Sequence, residues 1–357
     1  GNGIYQMALW VDKHRPKALQ ALDYHSEISE RLESMSNTSS LPHLFFFGPS
    51  GAGKKTRIQA LLKQLFGPTV LKTRLDSRTF ETPTKRKIEI NMITSSVHIE
   101  LNPSDAGNYD RYIVQNVIKE IAQNHPLIQN KNVPFKVLVI NEVDKLSKQA
   151  QAGLRRTMEK YTSVCRIILV GCNQSKVIDP LKSRCLGIRV SAPTVDEIAS
   201  VLISTGQKEN VTVPPPLASQ IASLSGRNLR RALLMLESAH TLDPSLDSTV
   251  QAPRCDWESY IVKLAGEITG EQSPMKLMQA REMLYELLIN CIPSSVIMKS
   301  LTIELLKNCD DSLKVEVVKW ATFYEGRMNG GKEIFHLEAF VAKFMALYKE
   351  YLTNLFG

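Results

Sequence analysis

The sequence predicts an α/β phosphate-loop domain, a parallel sheet with flanking helices, followed by a small helical unit and an all-α C-terminal domain. Three observations carry this expectation. Between Leu44 and Gly171, short apolar runs alternate with helical patterns, as when parallel strands are joined by crossover helices. Gly48-Pro49-Ser50-Gly51-Ala52-Gly53-Lys54 fits Gly-x-x-x-x-Gly-Lys and stands between one such strand and one such helix. Beyond Pro193 the alternation stops, and the last third has helical spacing almost throughout.

In chain order, strands are expected at Leu44–Phe47, Lys136–Ile140 and Arg166–Gly171, with helices at Lys54–Phe66 and Gln149–Tyr161. The polar stretch Lys72–Asn91 reads as a loop or hairpin. Helices at Val195–Gly206, Pro216–Leu224 and Asn228–His240 make the small unit, with Pro214-Pro215-Pro216 linking two of them. Asp243–Pro253 holds two prolines among Ser, Thr and Asp, which marks a boundary. Five helices follow, at Trp257–Glu267, Pro274–Asn290, Val296–Asn308, Leu313–Asn329 and Ile334–Leu352. The expected domains are therefore 7–194, 195–248 and 255–357.

A chain of 357 residues exceeds the usual single core. With 43% hydrophobic and 22% charged residues it is too balanced for wholesale disorder. No apolar run approaches the ~20 residues of a membrane span. Six scattered cysteines form no Cys-x-x-Cys pair, so neither a zinc site nor a disulfide framework is indicated, and a reducing compartment fits. The net charge of +8 is unevenly placed. Residues 1–254 hold 33 Lys/Arg against 22 Asp/Glu, and residues 255–357 hold 11 against 14. The positive excess thus belongs to the part with the phosphate loop, where it suits a polyanion or is simply a solvated face.

Glycines in the loop let successive backbone N–H groups curl around phosphate oxygens, the helix N-terminus adds positive potential, and Lys54 reaches the terminal phosphates. The next residue should be Ser or Thr, whose hydroxyl ligates Mg²⁺, but it is Lys55. Thr56 comes one residue late, rotated about 100° around the helix. A second change matches the first. The strand Lys136–Ile140 should end in an Asp beside the metal followed by a Glu that polarises water, and here the pair is Asn141-Glu142. The expectation is ATP or ADP binding with little hydrolysis, Glu142 remaining as a possible general base, Mg²⁺ open, and no metal ligand assigned.

Further motifs carry a family resemblance: Leu9-Trp-Val11-Asp-Lys-His14-Arg15-Pro16 at the start, Ile99-Glu-Leu-Asn102, Gly171-Cys-Asn173, Ser183-Arg184-Cys185 and Asn228-Leu-Arg230-Arg231, in that order. With these the chain resembles, essentially from Met7 onward, the small subunits of the eukaryotic sliding-clamp loader replication factor C, within the AAA+ ATPases. The resemblance implies a AAA+ domain, a helical lid and a helical collar that holds five subunits in a ring. It implies that Val11, Arg15 and Pro16 pack around adenine, with His14 in place of the usual Tyr, and that Asn102 restrains Glu142. It further implies that Asn173 and Arg230 sense the phosphates, and that Arg184 projects in trans into a neighbour's site. A guanidinium supplied in this way contributes ~10³–10⁵ in rate in other phosphoryl-transfer systems.

The same resemblance implies primer-template DNA and the sliding clamp PCNA as partners, other replication factor C subunits in a heteropentamer, roles in DNA replication and repair, and a nuclear location without membrane attachment. Arg86, Lys87, Arg111, Lys148 and Lys176 are basic candidates for a DNA phosphate track, of which Lys176 matches a DNA-facing family position; phosphate contacts would be salt-sensitive and sequence-independent. Gln115-x-x-Ile118-x-x-Ile121 has the form of a clamp-binding helix and equally of a core-facing one. Two other readings stay open from the residues: a self-sufficient DNA-stimulated ATPase or helicase motor, against which Lys55 and Asn141 stand, and a nucleotide-free scaffold, against which the intact loop stands.

Overall fold

A computed structural model describes residues 8–36, 41–81, 87–118, 135–162, 164–246, 252–328 and 331–356. The chain divides into two compact units, Gly1–Ala252 and Pro253–Gly357.

The first unit is built on a seven-stranded sheet of β1 (Leu44–Phe47), β2 (Arg74–Glu81), β3 (Lys87–Thr94), β4 (His98–Leu101), β5 (Lys136–Ile140), β6 (Cys165–Gly171) and β7 (Leu186–Arg189), in spatial order β2-β3-β4-β5-β6-β1-β7. The five strands from β4 to β7 run parallel, and the β2–β3 hairpin extends the sheet antiparallel at the β4 edge. The parallel strands β1, β5 and β6 are near-continuous apolar runs because helices cover both faces. Leu138 and Ile140 of β5 pack in the core that holds Ile167 and Leu169, and Val137 and Val139 in the opposite one with Leu44, Phe46 and Leu61. Since β6 lies between β1 and β5, the C-terminal ends of these three strands open on one crevice, the place where open α/β sheets bind ligands.

The first-unit helices that matter for that crevice are α1 (Trp10–Lys13), α2 (Ser26–Ser36), α3 (Lys54–Phe66), α4 (Asp110–Tyr112, continuing as a π-helical turn over Ile113–Ile118), α5 (Lys148–Tyr161) and α6 (Asp179–Lys182). The small helical unit follows as α7 (Val195–Lys208), α8 (Pro215–Leu224) and α9 (Leu229–Leu242), around a core of Ile198, Leu202, Leu217, Ile221, Met235 and Leu236. Helix α7 opens on a capping box: the Glu197 N–H donates to Thr194 Oγ1 at 3.2 Å, and the Thr194 N–H to Glu197 Oε2 at 2.7 Å.

The second unit is five helices, α10 (Asp256–Gly270), α11 (Pro274–Ile289), α12 (Ser294–Leu306), α13 (Asp311–Arg327) and α14 (Glu333–Phe356), packed around Leu264, Leu284, Leu301, Val317, Phe340 and Phe344. Phe335, which shares a helical spacing with Phe340 and Phe344, is 54% exposed. It therefore stands outside the intradomain core that those two fill. Among the described residues no helix is long and apolar enough to cross a membrane.

Candidate nucleotide site

The phosphate loop leaves β1 and feeds α3. Gly48, Gly51 and Gly53 all have φ between +75° and +146°, and each is also hemmed in. A Cβ on Gly51 would lie 1.7 Å from Asn228 Oδ1, and one on Gly53 2.4 Å from the Tyr24 hydroxyl. Only glycine satisfies both the backbone and the space. Lys54 is buried and donates from Nζ to the carbonyls of Gly48 (2.5 Å) and Pro49 (2.8 Å), with Cys172 Sγ at 3.7 Å. Its ammonium is thus folded back over the loop, held at the place where phosphate oxygens would replace those carbonyls.

Beneath the loop lies Arg57, whose guanidinium is fully buried. It donates to the carbonyls of Tyr24 (2.7 Å) and Ala52 (3.4 Å) and stacks over the Tyr24 ring at 4.6 Å, while the Tyr24 hydroxyl donates to the same Ala52 carbonyl at 3.0 Å. The sequence reading missed both residues. The available signal was an Arg standing on the apolar stripe of α3 with Ile58, Leu61 and Leu62.

Above the loop, Val11, His14, Arg15, Pro16, Thr56, Leu229 and Arg230 line a pocket with Tyr24, Gly51 and Gly53. Helix α1 and the turn after it are tied across to the helical unit. The Trp10 N–H donates to Glu237 Oε2 at 3.1 Å, its ring packs 5.2 Å from that of His240, and Lys13 and His14 both pair with Glu209. Burial alone would raise the Glu209 carboxyl, but the Lys13 and His14 partners outweigh it and hold Glu209 below its ordinary value. Arg15 donates to Thr56 Oγ1 at 3.5 Å. The hydroxyl of Thr56 thus faces Arg15, in the turn after α1.

An adjoining cleft joins Ser50, Lys54, Lys55, Asn102, Asn141, Glu142, Asp144, Lys145, Cys172 and Arg230. Glu142 adopts a left-handed φ of 53°, uncommon for a residue with a Cβ and of the kind that clusters at functional sites. Its carboxylate accepts from Ser104 Oγ (3.1 Å) and Asn102 Nδ2 (3.4 Å) and pairs with Lys145 (3.0 Å). Desolvation pushes its pKa up, yet Lys145, Ser104 and Asn102 together hold it below the ordinary carboxylate value. Asn173 is exposed, its backbone N–H donating to Asp144 Oδ2 at 3.0 Å and its side chain accepting from Ser175; it is Cys172 that lines the cleft. The fit to Mg²⁺ is poor. Lys55, at the hydroxyl position, forms an ion pair with Glu100, and Asn141, at the carboxylate position, donates from Nδ2 to the same Glu100 at 2.7 Å.

Outside the cleft, Arg184 is half-exposed, paired with Glu159 and donating to the Pro180 carbonyl at 2.8 Å. Lys176 is exposed on the turn after β6, and Arg111 donates to Gln149 Oε1 at 3.0 Å. Gln115 is half-buried against Gly153 of α5, beside the buried Ile113 and Val114. The Ile118 side chain, Ile121 and Arg86 lie outside the described residues, as does the side chain of Lys87.

With that geometry in hand, three family models match: "Replication factor C subunit 3, C-terminal domain" over 257–352, "RCF1/5-like, AAA+ ATPase lid domain" over 200–241, and "DNA polymerase III, delta subunit" over 24–194. The chain is 50% identical over 349 residues to replication factor C subunit 3 of Homo sapiens, covering 98% of both chains. The chain belongs to the replication factor C subunits. Replication factor C subunit 5 of Neurospora crassa is 49% identical over 350 residues, 98% of this chain and 99% of its own, and the Oryza sativa subunit 5 is 49% identical over 353. As a replication factor C subunit the chain is an AAA+ protein of DNA replication with a nucleotide-binding fold, a lid and an all-helical C-terminal domain.

Proposed function

We propose that the chain is a small subunit of the heteropentameric sliding-clamp loader. It binds ATP or ADP at the loop Gly48–Lys54, hydrolyses it poorly, and lends Arg184 to a neighbouring subunit's site while the assembly loads PCNA onto primer-template DNA in the nucleus. One observation carries the catalytic part: an intact phosphate cradle lies beside two metal positions, Lys55 and Asn141, that are both turned to Glu100. Exposure of Arg184 on the first unit supports its use in trans, because its contacts with Glu159 and the Pro180 carbonyl both lie at the solvent-exposed rim. On this reading Val11, Arg15 and Pro16 wall the adenine, Lys54 and Arg230 meet phosphates, and the domains are 7–194, 195–248 and 255–357, the last serving as collar. Lys176 and Arg111 are assigned to DNA phosphate, and Gln115, Ile118 and Ile121 to the clamp.

Glu142 is the one group that favours a second reading, of a subunit that turns over its own nucleotide, since its carboxylate is held ionised where water would be polarised. The two readings separate in the reconstituted assembly. Arg184→Ala is expected to lower DNA-stimulated ATP hydrolysis at least tenfold per affected site, and Glu142→Gln to leave it nearly unchanged. The opposite pattern would show that this subunit is itself a motor.

A further inference from the structure

The two departures at the metal positions converge on a third residue, which stands in the Ile99–Asn102 motif with no role of its own assigned there. Glu100, on β4, is largely buried, and its Oε1 takes the Lys55 ammonium and, at 2.7 Å, the Asn141 amide. Each of the three requires the others. An Asp in place of Asn141 would lose the hydrogen bond to Glu100 and set a second carboxylate against it in direct repulsion. Without Lys55, Glu100 would be a nearly buried anion with no cation. Donating to Glu100 also fixes the Asn141 amide, and its Oδ1 is left buried with no partner among the described residues.

We propose that Lys55, Glu100 and Asn141 form a self-contained replacement for the divalent cation, so that this chain takes up its nucleotide without a metal ion. The inference rests on the reading that the loop binds nucleotide. The tethered ammonium occupies the metal's side of the loop and repels a divalent ion, and it cannot leave with the nucleotide. Phosphate charge does not need the metal either. Arg15, Lys54, Lys55, Lys145 and Arg230 all border the cleft, against Glu142 and Asp144 on its wall and Glu100 behind it. The positive excess persists with all three acids counted, and the loop N–H groups add to it.

The test is a titration of the full chain with fluorescent methylanthraniloyl ADP and ATP, in Mg²⁺ and again in excess EDTA. The expected result is an affinity that changes less than about threefold between the two. A loss of about tenfold or more in EDTA, with good binding in Mg²⁺, overturns the inference and leaves the nucleotide reading standing. Absence of binding in both conditions overturns the nucleotide reading itself. The triple variant Lys55→Thr, Glu100→Gln, Asn141→Asp restores a hydroxyl and an unopposed carboxylate, so its binding is expected to become EDTA-sensitive by about tenfold. A folded triple variant that stays insensitive counts against the assignment of these three residues. Should that variant fail to fold, Mn²⁺ relaxation on the wild type decides. No paramagnetic effect on bound methylanthraniloyl-ADP is expected, and a clear effect overturns the proposal.

Discussion

Arg57 shows how much of the site hides from a motif. It is a buried cation whose hydrogen bonds go to carbonyls and whose flat face goes to Tyr24, so it acts as a peg under the loop while Lys54 acts above it. Arg57→Met should strand the Tyr24 carbonyl, while the Ala52 carbonyl keeps the Tyr24 hydroxyl; at about 1–3 kcal/mol for an unsatisfied buried group, urea unfolding should show a loss of at least about 1 kcal/mol. Gly51→Ala should be worse for binding than for folding. Its Cβ would meet Asn228, the residue that caps α9, and the expected outcome is loss of detectable methylanthraniloyl-nucleotide binding with the helical signal retained. The loop glycines, Lys54 and the changes at Lys55 and Asn141 were legible because their spacing is local. Glu100, Arg57 and Tyr24 were not, because each acts through a partner brought near only by the sheet or by the turn into α2.

At the scale of the element, His43 at the start of β1 ties two strands together. Its Nδ1 accepts from the Ile167 N–H of β6 at 3.0 Å, and burial first, then the charge of Arg166, lowers its pKa to about 4. Protonation would put hydrogen where the Ile167 donor already sits. The folded pKa lies below the unfolded one, so the stability this group contributes is present above pH 6.5 and is lost as pH falls from there towards 4. The loss is of order 3 kcal/mol, and a His43→Gln variant should show a flatter stability curve across that window in chemical denaturation. The capping box of α7 predicts a smaller effect, about 1 kcal/mol for Thr194→Ala in the same assay. Strands β1 and β5 and the helices after them were readable from apolar runs and periodicity. Strand β7 was not: Leu-Gly-Ile-Arg is short, holds a glycine, and is extended because β1 offers it an edge. The Lys72–Asn91 stretch was ambiguous for the opposite reason: among its described side chains Ile90 is buried, whereas Leu75, on the paired strand, is exposed.

On the scale of the whole molecule, the two units keep separate cores. The apolar cluster of the second unit is drawn wholly from residues between Trp257 and Tyr351, and those of the first from residues up to Ala252. A fragment of residues 253–357 is therefore expected to fold alone, giving a cooperative helical melt by circular dichroism; a non-cooperative melt would show that it needs the rest of the chain. The first unit is different in kind, because its pieces finish one another over long sequence distances. The contacts of Trp10, Lys13 and His14 with Glu237, His240 and Glu209 span about two hundred residues, 227 of them in the Trp10–Glu237 hydrogen bond. During synthesis the phosphate loop leaves the ribosome early, yet the wall that α1 and α9 build over it cannot form until residue 240 has emerged. A nascent chain can thus curl its loop around phosphate long before it can enclose a base, and α1 must wait for nearly the whole first unit before Glu209, Glu237 and His240 are there for it to hold.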